Sequence, residues 1–205
     1  MNEPIGTIVL MPVAKGSTID PARTRATILQ AATQMLYERG LDGIGVAELC
    51  ARLGVSKETL YRHFGTKDGL VQAMLEARSD QGIRRMNDAA LAAGDDPADQ
   101  LTAVFNAFQR WYDEATFRGC ALLNAATQHY TDAVRAITAR HLRRYLDLLT
   151  GIAERAGAAD PQLLGRQLLI LIEGATVVAD HHSPTRAGEH ACQAALTLLA
   201  AARKT

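Results

Sequence analysis

Two stretches with helical apolar spacing, about Val46–Leu53 and Lys57–His63, are separated only by Gly54-Val55-Ser56. So short a link forces the second helix to turn back against the first at once. Glycine at 54 tolerates the positive φ that a tight turn after a helix requires. Cys50 puts a small side chain where the two helices nearly touch, and Leu49, Val55 and Leu60 are apolar where the pair must lock. Ser56 stands at the N-cap of the second helix, with Thr59 three residues on where a full capping box has Glu. The remaining faces of that helix carry Lys57, Thr59, Tyr61, Arg62 and His63, all able to bond phosphate oxygens or base edges. The pattern predicts a helix-turn-helix.

The rest of the chain also reads as helical. Residues 1–19 mix Pro, Gly and Ser with short apolar pieces and show no period, which suggests a flexible arm. Asp20-Pro21 starts a helix, with an acceptor at N-cap and Pro at N1. Ile28, Ala31, Ala32, Met35 and Leu36 give that helix one apolar face, and Gly40 closes it. A fourth helix begins after Gly65-Thr66 and runs to about Ala93, with Gly82 as a point where it could bend. Asp95-Asp96-Pro97 is the clearest boundary downstream. Leu101, Val104, Phe105, Phe108, Tyr112 and Ala115 make one stripe, a short segment spans Gly119–Tyr130, and Val134, Ile137, His141, Tyr145, Leu148 and Ile152 make another stripe, ended by Gly157. Leu163–Ala179 is apolar nearly all round, so this helix should be buried on two sides. After Ser183-Pro184, the residues Ala191, Ala195, Leu198, Leu199 and Ala202 line a last helix. The expected fold is all-α, about nine helices, with no strand.

Composition narrows the function. The 205 residues are 48% hydrophobic with zero formal net charge, but the charge is unevenly placed. Pro21–Lys67 holds seven Lys/Arg against four acidic residues, whereas residues 68–205 hold 14 against 16. A basic head on a mildly acidic body suits a phosphate-facing surface. The three cysteines, Cys50, Cys120 and Cys192, are far apart and form no CxxC, which suits a reducing cytoplasm and argues against a disulfide framework or zinc ribbon. Ile8–Val13 lacks a basic flank and a cleavage site, so no signal peptide is expected. No apolar run is expected to supply the roughly 20 residues of a membrane span. There is no nucleophile motif, phosphate-cradling loop, HExxH or convincing carboxylate pair, so no enzyme is expected.

The run Gly54-Val55-Ser56-Lys57-x-Thr59-Leu60-Tyr61-x-His63-Phe64-x-Thr66-Lys67-Asp68-x-Leu70 resembles the tetracycline-repressor (TetR) family of bacterial regulators. Ala31-Ala32 and Glu38-Arg39-Gly40 upstream support the resemblance, which covers about residues 22–75. In the body, Arg118-Gly119-Cys120 followed by Asn124 looks like one subgroup. The resemblance implies that Lys57, Thr59, Tyr61 and His63 face the major groove or its flanking phosphates; Ser56, the cap of that helix, and Arg62, at a variable position that would carry target specificity with Glu58, complete the expected DNA-binding set on it. It makes Lys67 a phosphate anchor at the start of the fourth helix, with Arg23 or Arg25 reaching a neighbouring phosphate. Leu60 and Phe64 are expected in the core. Gly45 departs from the family, many of whose members have there a capping, phosphate-touching Thr.

The resemblance further implies a head at residues 20–66 and a ligand-binding, dimerising body at 67–205, with 67–93 as a linking helix. The expected partners are double-stranded, palindromic operator DNA, a small-molecule effector and a second copy of the chain, without a membrane. Leu163–Ala179 and the Ala-rich last helix have apolar surface enough for a dimer interface, although a larger internal core would use it too. The effector would lie among Phe105, Phe108, Trp111, Tyr112, Cys120, Leu123, Asn124, His141 and Tyr145, which combine aromatic walls with sparse polar groups; plain core packing is the alternative. Cys120 reads as a structural thiol or a redox sensor. Asp180, His181, His182 and His190 lack zinc-type spacing, and neither a metal nor a cofactor is expected. The function expected is a ligand-released repressor; an activator or a redox-responsive regulator with the same head remains the alternative.

Overall fold

The computed structural model describes residues 20–41, 43–129, 131–181 and 186–202. The expected arm at 1–19 lies outside the described residues, as do Asp42, Tyr130, His182, Ser183 and Pro184. Among the described residues there are nine α-helices: α1 Pro21–Arg39, α2 Val46–Leu53, α3 Lys57–Phe64, α4 Lys67–Ala92, α5 Pro97–Tyr112, α6 Ala121–Gln128, α7 Asp132–Arg155, α8 Pro161–His181 and α9 Ala187–Ala202. The fold is all-helical, a helix-turn-helix followed by a helical C-terminal domain. By contacts the chain divides into two compact units, one ending at Ala77 and the other beginning at Arg78, so the division falls inside α4.

Helix starts follow local chemistry. Asp20 accepts from the Ala22 amide at 2.9 Å, Asp96 from Ala98 at 2.8 Å, and Asp160 from Leu163 at 2.9 Å. Each precedes a proline whose missing N–H costs nothing at a helix start. Asp160-Pro161 thus opens α8 two residues before the expected Leu163, with the same signal as the other two. Gly45, at the N-cap of α2, makes no side-chain cap.

In the first unit, Ile28, Ala32 and Leu36 of α1 are buried with Leu41, Ile44, Leu49, Leu53 and Leu60, and with Leu70, Met74 and Leu75 of early α4. Ala31 and Met35, expected on the same face, are half-buried. In the second unit α7 packs on α8, α8 on α9, α5 on α9 and α6 on α7. The Ala159 N–H donates to the Ala202 carbonyl at 2.8 Å and so satisfies one of the last carbonyls of α9.

Three expectations are corrected, and the structure adds a role for Gly82. α5 ends at Tyr112, and Ala115 is exposed outside it; the stripe is completed instead by the buried Phe117. α4 runs without interruption through Gly82, where an added Cβ would lie 2.4 Å from Tyr145 Oη. The glycine makes room for a tyrosine on α7. α8 is not buried on two sides: Leu164, Leu168, Ile172, Ala175 and Ala179 are buried, but Leu163, Ile170, Val177 and Val178 are 45–69% exposed. α8 is also long and apolar enough, by length and composition, to cross a membrane, which the sequence reading did not expect. It packs against α5, α7 and α9.

Gly82→Ala should gain about 1 kcal/mol of helix propensity and lose about 1–3 kcal/mol by overpacking against the buried Tyr145. The expected net effect is a lower melting temperature with unchanged helix content. A raised melting temperature would show that Tyr145 moves aside freely.

Candidate functional site

The exposed face of α3 in the first unit is positioned by the turn between α2 and α3. Gly54 adopts a left-handed conformation (φ 66°, ψ 28°); its N–H donates to Ala51 O, and the Val55 N–H donates to Cys50 O at 3.1 Å. These bonds close α2, and α3 starts two residues later. Ser56 Oγ accepts from the Thr59 amide at 3.0 Å and lies 3.0 Å from the Thr59 hydroxyl, so both side chains help to begin the helix. Leu60 and Phe64 then point inward and are buried. Lys57, Glu58, Tyr61 and Arg62 are left in solvent, Tyr61 at 42% exposure.

The expected DNA residues are not equally free. Lys57 and Tyr61, one turn apart, share a face. Arg62 is engaged with Glu58 at 2.8 Å, an exposed pair worth little that phosphate can displace. His63 is half-buried, its ring 6.3 Å from that of Phe64. Arg23 is exposed on α1, and the Arg25 guanidinium lies over the Phe64 ring, 4.9 Å from its centroid. That contact brings the basic start of α1 to the end of α3. Lys67 Nζ donates to the Leu41 carbonyl at 2.7 Å, tethering the start of α4 to the loop after α1. One of its three donors is thus already used.

In the second unit the expected pocket residues form an aromatic cluster. Phe108 contacts Trp111, Tyr112 and Tyr145, each at 6.0 Å between centroids, and Phe117 sits edge-on to Trp111 at 4.9 Å. His141 stacks on Tyr145 at 4.3 Å. Phe105, Phe108, Tyr112, Cys120, His141 and Tyr145 are buried, while Trp111, Leu123 and Asn124 are half-buried. Asn124 Nδ2 donates to Arg118 O at 2.8 Å, so its amide braces the loop before α6.

Polar links thread this cluster. His141 Nδ1 lies 3.1 Å from Ser79 Oγ, and Arg144 donates to Ser79 Oγ at 3.2 Å and to Asp80 at 2.7 Å. These bonds join α7 to the second half of α4. Burial, aided by Arg144, lowers the His141 pKa to about 4. Burial, and secondarily the charge of Glu173, raises the Cys120 thiol to about 11. The thiol is therefore protonated and a poor nucleophile, which favours the structural reading over the redox one.

Sequence reasoning missed Ser79, Phe117, Thr176 and Glu173. Glu173 could have been found, because it is the one charged residue between Arg166 and Asp180. Among the described residues no group of three or more His, Cys, Asp and Glu is arranged to hold a metal ion.

A family profile described as bacterial regulatory proteins, tetR family, matches residues 28–74. The crystal structure of SCO4454, a TetR-family transcriptional regulator from Streptomyces coelicolor, superposes with a TM-score of 0.81 at 30% identity, covering 89% of this chain and 97% of that one. The HTH-type transcriptional regulator BetI of Stenotrophomonas maltophilia is 27% identical over 165 residues, 76% of this chain and 80% of that protein. The HTH-type transcriptional repressor Rv3405c of Mycobacterium tuberculosis is 40% identical over 67 residues, 33% of this chain and 36% of that protein.

The His141 imidazole binds a proton more weakly in the folded chain than in the unfolded one. Its contribution is fully present above about pH 6.5 and is lost as pH falls towards about 4. A fall from 6.5 to about 4 corresponds to a loss on the order of 3 kcal/mol. His141→Gln should flatten this part of the acid unfolding curve in urea titrations between pH 7 and 4. Equal slopes for both proteins would exclude a buried neutral imidazole.

Proposed function

The chain belongs to the tetracycline-repressor (TetR) family of bacterial transcription regulators, and we propose that it is a repressor released from its operator when a small molecule binds the C-terminal helices. It is a DNA-binding regulator and not an enzyme. The observation that carries the proposal is the outer face of α3. Lys57, Tyr61 and Arg62 stand in solvent there, while Leu60 and Phe64 of the same helix are buried.

In this reading residues 20–66 bind DNA, residues 67–205 bind effector and dimerise, and 67–93 link the two. Lys57, Thr59, Tyr61 and His63 meet the major groove, Ser56 holds the start of the helix, and Arg62 exchanges Glu58 for phosphate. Arg23, Arg25 and Lys67 contact the backbone. We infer a cytoplasmic regulator, since bacterial operator DNA lies there. The relatives named as repressors, Rv3405c and the class A tetracycline repressor, support the sign of regulation, while the activator FasR of Mycolicibacterium smegmatis keeps activation as the second reading.

A symmetric dimer would present two heads to a palindromic operator. Its support is the exposed row Leu163, Ile170 and Val177 on α8, spaced by seven residues, with Val178 beside it. Apolar surface of that kind on one helix suits a second copy of the same helix. An effector among Phe108, Tyr112 and Tyr145 would act on α4 through the bonds of His141 and Arg144 to Ser79 and Asp80. Such coupling is reciprocal, so operator DNA weakens effector binding by the same factor.

Lys57→Ala and Tyr61→Ala should each weaken operator binding more than about tenfold in gel-shift titrations, with little change in melting temperature. Lys57→Ala should also reduce the slope of log affinity on log salt by about one. Wild-type affinity in both would rule out docking through α3. Ile170→Glu should convert a dimer to a monomer in analytical ultracentrifugation and weaken operator binding in parallel; a dimer of unchanged strength would place the interface elsewhere.

A further inference from the structure

Glu173 stands on the flank of α8, between the exposed row and the buried face, and on the side of Thr176. Its side chain is half-buried overall, and Oε2 is fully buried with no hydrogen-bond partner among the described residues. Buried carboxylate oxygens are normally paired, and an unpaired one marks a position that something else completes. Its charge is felt by Tyr112 on α5, Cys120 before α6 and Tyr145 on α7, all of which it pushes up. Arg78 acts on Cys120 and Arg85 on Tyr145, both from α4, and His141 lies against Tyr145. Burial alone raises Glu173 itself, to about 7, and no cation brings it back down.

Tyr112 reaches the same turn of α8. Its hydroxyl lies 3.0 Å from Thr176 Oγ1 and donates to Ile172 O at 3.4 Å, where the Thr176 hydroxyl also donates at 2.9 Å. These bonds hold the Tyr112 ring against the turn that carries Glu173. The Tyr112 ring packs in turn against Phe108 and Phe117, and Phe108 meets Tyr145 edge-on. An unpaired carboxylate oxygen near an aromatic cluster is complementary to an organic cation that carries N–H groups.

We propose that the effector is an organic ammonium ion, an amine protonated at neutral pH, whose N–H donates to Glu173 and whose carbon frame lies against Tyr112, Phe108 and Tyr145. The proposal rests on the ligand-responsive reading above and specifies the chemistry of its ligand. A cation there supplies the charge that the carboxylate lacks, so binding holds Glu173 ionised.

The test uses the full-length protein and a panel of arylalkyl ammonium ions beginning with 2-phenylethylammonium. Each is matched to its alcohol and its carboxylate. Binding is followed by calorimetry and by the fluorescence of Trp111, the sole tryptophan and a ring neighbour of Phe108 and Tyr112. Operator release is followed by gel shift. The expected result is ammonium binding at least tenfold tighter than the matched alcohol, strengthening from pH 6 to pH 8. Glu173→Gln, an isosteric change checked by its melting curve, should abolish both the preference and the pH dependence. Alcohols or carboxylates that bind as well as the ammonium ions, or a preference retained in Glu173→Gln, would overturn the proposal. If those compounds also release operator, the ligand-responsive reading survives. Operator binding unmoved by every member of the panel would count against that reading and the proposal together.

Discussion

With three residues between them, α2 and α3 can bury their apolar sides and satisfy their ends in very few ways. Gly54 turns the chain through a conformation that other residues resist, its neighbours close α2, and Ser56 opens α3. The phase of α3 is then fixed by Leu60 and Phe64. Full burial of one such side chain contributes about 1.5–3 kcal/mol, far more than the exposed ion pairs of Arg39 and Arg52 with Glu48 around it. Lys57 and Tyr61 face solvent because Leu60 and Phe64 cannot.

The second unit shows how unevenly polar groups are satisfied inside an apolar bundle. The Tyr112 hydroxyl has Thr176, and the His141 ring has Ser79. Glu173 Oε2 has no partner among the described residues. Burial pushes the two titratable groups in opposite directions, His141 down and Glu173 up, and each thereby favours its neutral form. For the histidine the neutral form is already complete, bonded between two helices. For the carboxyl it is a stopgap, because an incoming positive charge would make the ionised form the better one. A fixed link and an unpaired carboxylate oxygen thus stand in one helical unit.

α8 carries two separate demands. One side holds the centre of the bundle, packed on α5, α7 and α9. The other leaves Leu163, Ile170 and Val177 in solvent at heptad spacing. That exposed row makes α8 more apolar than the one core it packs on requires.

Much of this was legible in the sequence. The nine helices, the Asp-Pro starts, the Gly54 turn and the inward Leu60 and Phe64 follow from local rules: capping, a three-residue link and a 3.6-residue period. The polar face of α3 follows as well, since it is what remains once the apolar residues turn in. Periodicity misjudged Ala115 and the two sides of α8, because it marks which residues are apolar without saying what covers them. A glycine that makes room for Tyr145, sixty-three residues away, leaves no local trace. The pairing of Ser79 with His141, the tether from Lys67 to Leu41 and the unpaired oxygen of Glu173 are likewise long-range facts. The sequence by itself determined the described helices and the polar face of α3, because those depend on neighbours within a turn or two. Only the tertiary structure decided which buried polar groups found partners, since that depends on which distant helices pack together.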